Sequence, residues 1–218
     1  QGVFIIGLDP QGDGIFKSLG VSPLIVEFVP DPPVRRYHFI GPSRVAPGEN
    51  FSVSIAALDL NGNLIEDHIG RVDLASNLPV NGLPQSIAFA EEDRGTLRIE
   101  GLKVNAPGIY RISLHDGESD VVAESNPIRC LASVKERIYW GDLHTHGYDA
   151  NDPVFLGWLN QTNHPASCHH YARDVARLDF CSLSPMNPPP ESDVPELWEL
   201  YRRVVEEMNE PGRYVTFM

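Results

Sequence analysis

From about Val34 to Cys130 the chain alternates short apolar runs with turn-forming clusters and never sustains a helical period. That grammar confines this stretch to an antiparallel β fold. Phe51-Ser52-Val53-Ser54-Ile55-Ala56-Ala57-Leu58 alternates apolar with small polar residues, the period at which successive strand side chains point to opposite faces. Ala46-Pro47-Gly48-Glu49-Asn50 introduces it and Asn61-Gly62-Asn63 follows it, both turn-forming. Arg71-Val72-Asp73-Leu74, Ser86-Ile87-Ala88-Phe89 and Thr96-Leu97-Arg98-Ile99 continue the pattern. Pro107-Gly108 then precedes Tyr110-Arg111-Ile112-Ser113-Leu114, with Tyr110, Ile112 and Leu114 on one face. Some seven strands in about 100 residues predict an immunoglobulin-like antiparallel β-sandwich over residues 34–130. A Cys…Trp…Cys pattern is missing, which argues against an antibody-type domain. Residues 1–33 hold one apolar run, Leu24-Ile25-Val26-Glu27-Phe28-Val29, and a proline-rich exit. They read as an extra strand or an arm.

After Cys130 the pattern changes. Ile138 to Asp142 is strand-like, and Pro165 to Leu178 shows helical spacing, with Tyr171, Val175 and Leu178 on one face and Asn163 or Ser167 as a cap. Asp179-Phe180-Cys181-Ser182-Leu183 reads as a buried strand. Asp193-Val194-Pro195-Glu196 has the form of a capping box. The helix it opens carries Val194, Leu197, Tyr201, Val204 and Met208 on one stripe, Pro211-Gly212 ends it, and Tyr214-Val215-Thr216-Phe217 begins a third strand. Alternating strands and helices over residues 131–218 predict a parallel α/β sheet or barrel, whose ligand site lies at the carboxyl ends of the strands. His144 and His146 stand at the exit of the first strand, and Ser184 to Pro190 at the exit of the second.

Composition narrows the partners. A net charge of −13, with basic residues scattered, argues against nucleic acid, because no basic stripe is available to neutralise phosphates. No run of about 18 apolar residues is present, so no helical membrane span is expected. Three cysteines, Cys130, Cys168 and Cys181, are too few and too odd in number for a disulfide framework and read as small packing residues. The compartment stays open.

The segment that points most directly to chemistry is Tyr139-Trp140-Gly141-Asp142-Leu143-His144-Thr145-His146. On a strand, residues two apart share a side, so His144 and His146 can converge on one divalent ion such as zinc, iron or manganese. With eight histidines in the chain, a bare HxH pair also arises by chance. Its setting, a strand-like lead-in and a polar loop from Gly147 to Asp152, gives it weight.

Gly141-Asp142-Leu143-His144-Thr145-His146 resembles the first motif of the polymerase-and-histidinol-phosphatase (PHP) superfamily of metal-dependent hydrolases. Tyr171 to Phe180 resembles the helix-to-strand passage of a branch in which an immunoglobulin-like domain precedes the hydrolase domain. Ala123-Glu124-Ser125-Asn126-Pro127-Ile128 and Arg137-Ile138-Tyr139-Trp140 are similar to that branch's linker. The resemblance covers the chain from about residue 34. It implies a distorted β/α barrel in which a metal-bound hydroxide attacks a small-molecule phosphoester. His144 and His146 would be metal ligands, with Asp149 or Asp152 as the next. Asp142 would orient one of the histidines, or would be a strand-end carboxylate bonded to nearby backbone. The chain departs from the pattern at the second motif, Leu183-Ser184-Pro185-Met186-Asn187, where proline and methionine replace an expected acid and histidine. Only about three barrel strands fall before Met218, so the resemblance also implies that a C-terminal segment or partner chain completes the barrel.

Other candidates are weaker. Cys168-His169-His170 are consecutive on an expected helix and point about 100° apart, so they cannot all face one ion. His164 precedes that helix and could reach the mouth of the site. His38, His68 and His115 are expected at the surface of the sandwich. Tyr148 and Trp158 either line an entrance or anchor their loop. No glycine-rich phosphate loop and no GxSxG elbow are present. Two functions stay open: a metal-dependent phosphoester hydrolase with an altered second motif, and a catalytically inactive binding or structural protein whose β-sandwich recognises a glycan or a protein.

Overall fold

Two apolar strands open the fold. In the computed structural model, which describes residues 2–6, 24–145, 165–183 and 195–218, β1 (Gly2–Ile6) pairs antiparallel with β2 (Leu24–Phe28), Gly2 facing Phe28. The chain divides into two compact units. One comprises Pro30–Tyr139 together with Asp174–Arg177, the other Gln1–Val29, Trp140–Arg173 and Leu178–Met218.

The first unit is the sandwich. Its strands are β3 (Arg36–Ile40), β4 (Arg44–Val45), β5 (Phe51–Leu58), β6 (Gly70–Ser76), β7 (Ser86–Phe89), β8 (Thr96–Leu102), β9 (Gly108–Tyr110), β10 (Ile112–Asp116), β11 (Val121–Glu124) and β12 (Ile128–Cys130). They form three sheets, β3-β5-β8, β4-β12-β9 and β11-β10-β6-β7, all antiparallel except the β4–β12 pair. One continuous core joins them. It takes Tyr37 and Phe39 from β3, Val53, Ile55 and Ala57 from β5, Val72 and Leu74 from β6, Phe89 from β7, Ile112 and Leu114 from β10, and Ile128 from β12. Each fully buried Val, Leu, Ile or Phe among them contributes about 1.5–3 kcal/mol, and a one-residue slip would turn this set away from the core.

The run Tyr110–Leu114 is not one strand. It breaks at Arg111: β9 pairs with β12, and β10 with β6 and β11. The Arg111 amide, freed from both ladders, donates to Asn77 Oδ1 at 2.8 Å. Tyr110, Ile112 and Leu114 nevertheless all point into the same core, so one apolar face serves two sheets.

The second unit contains β13 (Gly141–Thr145), α1 (Pro165–His170), β14 (Phe180–Leu183), α2 (Pro195–Met208) and β15 (Val215–Phe217); a π-helical turn at Tyr171–Val175 continues α1, and its last two residues belong to the first unit. The three strands are parallel in the order β13-β14-β15. Cys181 and Thr216 are register partners, and both helices lie on their side of the sheet. Cys181 packs with Ala172 and Tyr214, while the Thr216 hydroxyl donates to the Val205 carbonyl of α2 at 2.6 Å. Tyr201, Val204 and Met208 supply the buried stripe of α2. Among the described residues no helix is long and apolar enough to cross a membrane.

Two expectations need correction. The expected PHP-like β/α barrel is not supported: the described residues are mostly β-sheet, and among them three parallel strands form an open sheet in the order β13-β14-β15. A barrel needs enough tilted strands to close on itself, and local strand-and-helix periodicity carries no information about closure. Of the helical face expected from Tyr171, Val175 and Leu178, Val175 is buried and Leu178 half-buried, but Tyr171 does not join them. Tyr171 is exposed, whereas His169 and Ala172 are buried. A π turn holds more residues than an α turn, so it rotates the phase of the helix and a 3.6-residue template loses register.

Candidate functional site

The parallel unit positions the one histidine of the HxH pair that can be described. At the start of β13 the Trp140 amide donates to Asp179 Oδ2 at 2.8 Å, and the Asp179 amide donates back to the Trp140 carbonyl at 2.6 Å. Gly141 follows, where a Cβ would stand 2.3 Å from the Phe180 ring and force it to shift. The β13–β14 register then shifts between Asp142 and Thr145. Within that irregularity Asp142 Oδ1 accepts the His144 amide at 2.8 Å. Leu143 and His144 are exposed, and the Cys181 thiol lies 3.4 Å from the Thr145 hydroxyl.

Of the expected metal ligands, His146, Asp149 and Asp152 lie outside the described residues, as do His164, Tyr148, Trp158 and the altered second motif at Ser184–Pro190. Asp142 makes the strand-end backbone bond that was one of its two readings. Among the described residues no group of three or more histidine, cysteine, aspartate or glutamate side chains is placed to hold a metal ion.

Cys168, His169 and His170 diverge. His170 is exposed, with Nδ1 3.2 Å from Arg173 Nη2. Burial pushes the Cys168 thiol up to about 11, with a smaller contribution from Cys181, so it is a poor nucleophile near neutrality. His169 is fully buried; its Nδ1 meets the Tyr214 hydroxyl at 2.8 Å, and its Nε2 has no hydrogen-bond partner among the described residues. Burial, followed by the charges of His170 and Arg173, pushes its pKa down to about 4.

The sandwich holds two polar clusters that periodicity does not reveal. Tyr37 Oη donates to Asp116 Oδ2 at 2.7 Å and lies 3.0 Å from His68 Nε2. His68 is half-buried, its ring 4.9 Å from that of Phe89, and is not the surface residue expected, although His38 and His115 are exposed. Burial lowers the His68 pKa against the pull of Asp116, Glu118 and Asp67. Burial alone would raise the Asp116 carboxyl; donors from Ser119, Tyr37 and the Glu118 and Ser119 amides outweigh it and hold it low. In the second cluster Asp59, buried at the end of β5, accepts from the amides of Asp31, Asn61 and Asn63 and from Asn63 Nδ2. Desolvation again works against these donors and loses, so the Asp59 carboxyl is held far below the usual range. The Asp59-Leu60-Asn61-Gly62-Asn63 spacing was the available signal, since an aspartate bonding amides two and four residues on organises a turn.

Comparison with known proteins changes the family assignment. No family model matches the chain. An uncharacterised protein of Chlamydia pneumoniae is 25% identical over 217 residues, covering 98% of this chain and 32% of the relative. Uncharacterised proteins of Chlamydia trachomatis and Chlamydia muridarum are 25% and 22% identical over 97% of this chain. The chain thus spans about a third of the length of the curated relatives it matches. Among solved structures, the D00–D0 domain of intimin aligns at TM-score 0.36 and 14% identity, over 50% of this chain and 56% of that one. Domains 4–9 of the surface-layer protein SbsC align at TM-score 0.34 and 16% identity, over 60% and 20%. At such scores neither carries an argument about this chain. The PHP resemblance is accordingly withdrawn, and with it the support for a metal-binding hydrolase: no family model backs it, and the described part of the HxH segment assembles no centre.

Proposed function

We propose that this chain is a non-catalytic binding or structural module whose immunoglobulin-like sandwich engages a protein or glycan surface. One observation carries the reading. Among the described residues, buried Asp59, Asp116 and His169 and half-buried His68 bond to the fold's own backbone and hydroxyls. Such groups rigidify a scaffold and leave its surface to carry function. Metal analysis and a generic phosphoester assay on the purified chain test this. The expected result is no stoichiometric metal and no turnover. Stoichiometric metal that disappears in His144→Ala would overturn the reading.

A second observation concerns partners. Opposite the helices, the parallel sheet presents half-buried Phe180 stacked on Phe217 at 6.2 Å, with Phe217 and Val215 exposed. Parallel sheets are normally covered on both faces. We infer that further polypeptide covers this side in the intact protein, a reading supported by relatives about three times as long. If so, Val215→Ser with Phe217→Ser lowers binding of a hydrophobic dye by the isolated chain. Unchanged dye binding would count against it.

A further inference from the structure

Strand β5 is buried on both faces, which a two-layer sandwich does not by itself require. Val53, Ile55 and Ala57 enter the core, while Ser54, Ala56 and Leu58, on the opposite face, are also buried. A single antiparallel sheet packed on one side would leave that outer face in water. Ala56 and Leu58 are instead covered by Val175, itself 3% exposed, with Leu64 beside them. Val175 belongs to Asp174–Arg177, the four residues from late in the sequence that are part of the sandwich unit.

Two polar contacts flank this apolar one. His38, opposite Ala56 in the β3–β5 register, donates from Nδ1 to the Val175 carbonyl at 3.0 Å, across 137 residues of sequence. Arg177 Nη2 donates to Ser52 Oγ, on the same outer face of β5, at 3.2 Å. Arg177 holds φ at 57°, the left-handed region, and the Leu178 amide closes back on the Ala172 carbonyl at 2.8 Å. Glycine normally occupies that position at the end of a helix, because a Cβ there is strained. Glycine would fit this turn with less strain, yet it would have no side chain to reach Ser52.

We propose that the outer face of β3-β5-β8 is a recognition site for a Val-x-Arg segment, and that its occupant is the chain's own Asp174–Arg177, docked as a strap. The valine fills the patch formed by Ala56, Leu58 and Leu64, His38 reads the backbone carbonyl, and Ser52 reads the arginine. The sandwich is then completed by residues far beyond Cys130, and displacing the strap opens an apolar surface on it.

The test is hydrogen exchange of residues 174–178 in the full 218-residue chain, with the rate of tryptic cleavage after Arg177 as a second readout. His38→Ala changes an exposed residue distant in sequence from the strap. It is expected to speed exchange at 174–178 and cleavage after Arg177 by about five- to tenfold, the effect of one lost hydrogen bond on a local opening. Val175→Asp is expected to do so more strongly, while the β10 amides of the core stay protected. Exchange and cleavage unchanged in His38→Ala would overturn the proposal, and that variant decides the matter even where Val175→Asp fails to fold.

Discussion

The Tyr37 hydroxyl donates a 2.7 Å hydrogen bond to Asp116 across 79 residues of sequence, joining the first strand of the sandwich to the end of β10. Both residues are buried, and the proton committed to Asp116 leaves the phenol oxygen to accept from His68 Nε2, 3.0 Å away. Burial and the neighbouring carboxylate raise the Tyr37 pKa far above its usual range, so the phenol stays a donor at any physiological pH. Tyr37→Phe removes that donor while keeping the ring against Phe89. The expected loss is about 1–3 kcal/mol, the usual result of leaving a buried carboxylate short of a partner. Chemical denaturation measures it. In a double-mutant cycle with Asp116→Asn the two losses should be strongly non-additive.

Asp59 makes the loop after β5 sensitive to acid. Its folded-state pKa is depressed, so its contribution is fully present above the unfolded carboxylate value of about 4 and is lost as pH falls through the lower folded value. Asp59→Ala should lower the unfolding midpoint at pH 7 and flatten the acid limb of the stability curve. A midpoint equal to that of the unaltered chain would show that the four donors around Asp59 are satisfied by water.

His169 gives the parallel unit an acid sensitivity of the same sign in a higher pH window. Its folded-state pKa is about 4 against about 6.5 unfolded, so the unfolded chain takes up the proton first. Stability is complete above pH 6.5, falls as pH drops from 6.5 toward 4, and changes no further through this group below that. The difference corresponds to at most about 3 kcal/mol. His169→Gln should remove this slope. Exchange at the His169 C2 position, followed by mass spectrometry, reads the pKa directly in the unaltered chain.

Gly141 and Phe180 form a steric pair across β13 and β14. A Cβ at position 141 would stand 2.3 Å from the ring, so Gly141→Ala should cost about 1–3 kcal/mol through forced displacement of Phe180. The same change combined with Phe180→Ala should cost less than the sum of the two separate changes. Additive losses in thermal melts would show that the ring yields freely.

Much of this architecture is legible in the residues themselves. Alternation in Phe51–Leu58, turn clusters on either side of it and the stripe of Tyr201, Val204 and Met208 locate strands and a helix, because burial selects side chains at the period of the local backbone. Local periodicity does not locate the break at Arg111, since Tyr110, Ile112 and Leu114 face one core whether they lie on one strand or two. It fails at Tyr171, where the π turn rotates the helix. The HxH segment shows the limit most plainly. Two histidines at strand spacing say only that their side chains can share a face, while the bond from the His144 amide to Asp142 depends on a local shift in register.

The sequence by itself determined which stretches are extended, which are helical, where turns interrupt them and that the surface is acidic, because these follow from local conformational preference and the period of apolar residues. Tertiary structure alone decided that the three parallel strands of the described residues pair in the order β13-β14-β15. It also decided that His68 and His169 turn inward and that β5 is covered on its outer face by Val175. Those outcomes depend on contacts between residues tens to more than a hundred positions apart, and such contacts leave no periodic trace in the chain.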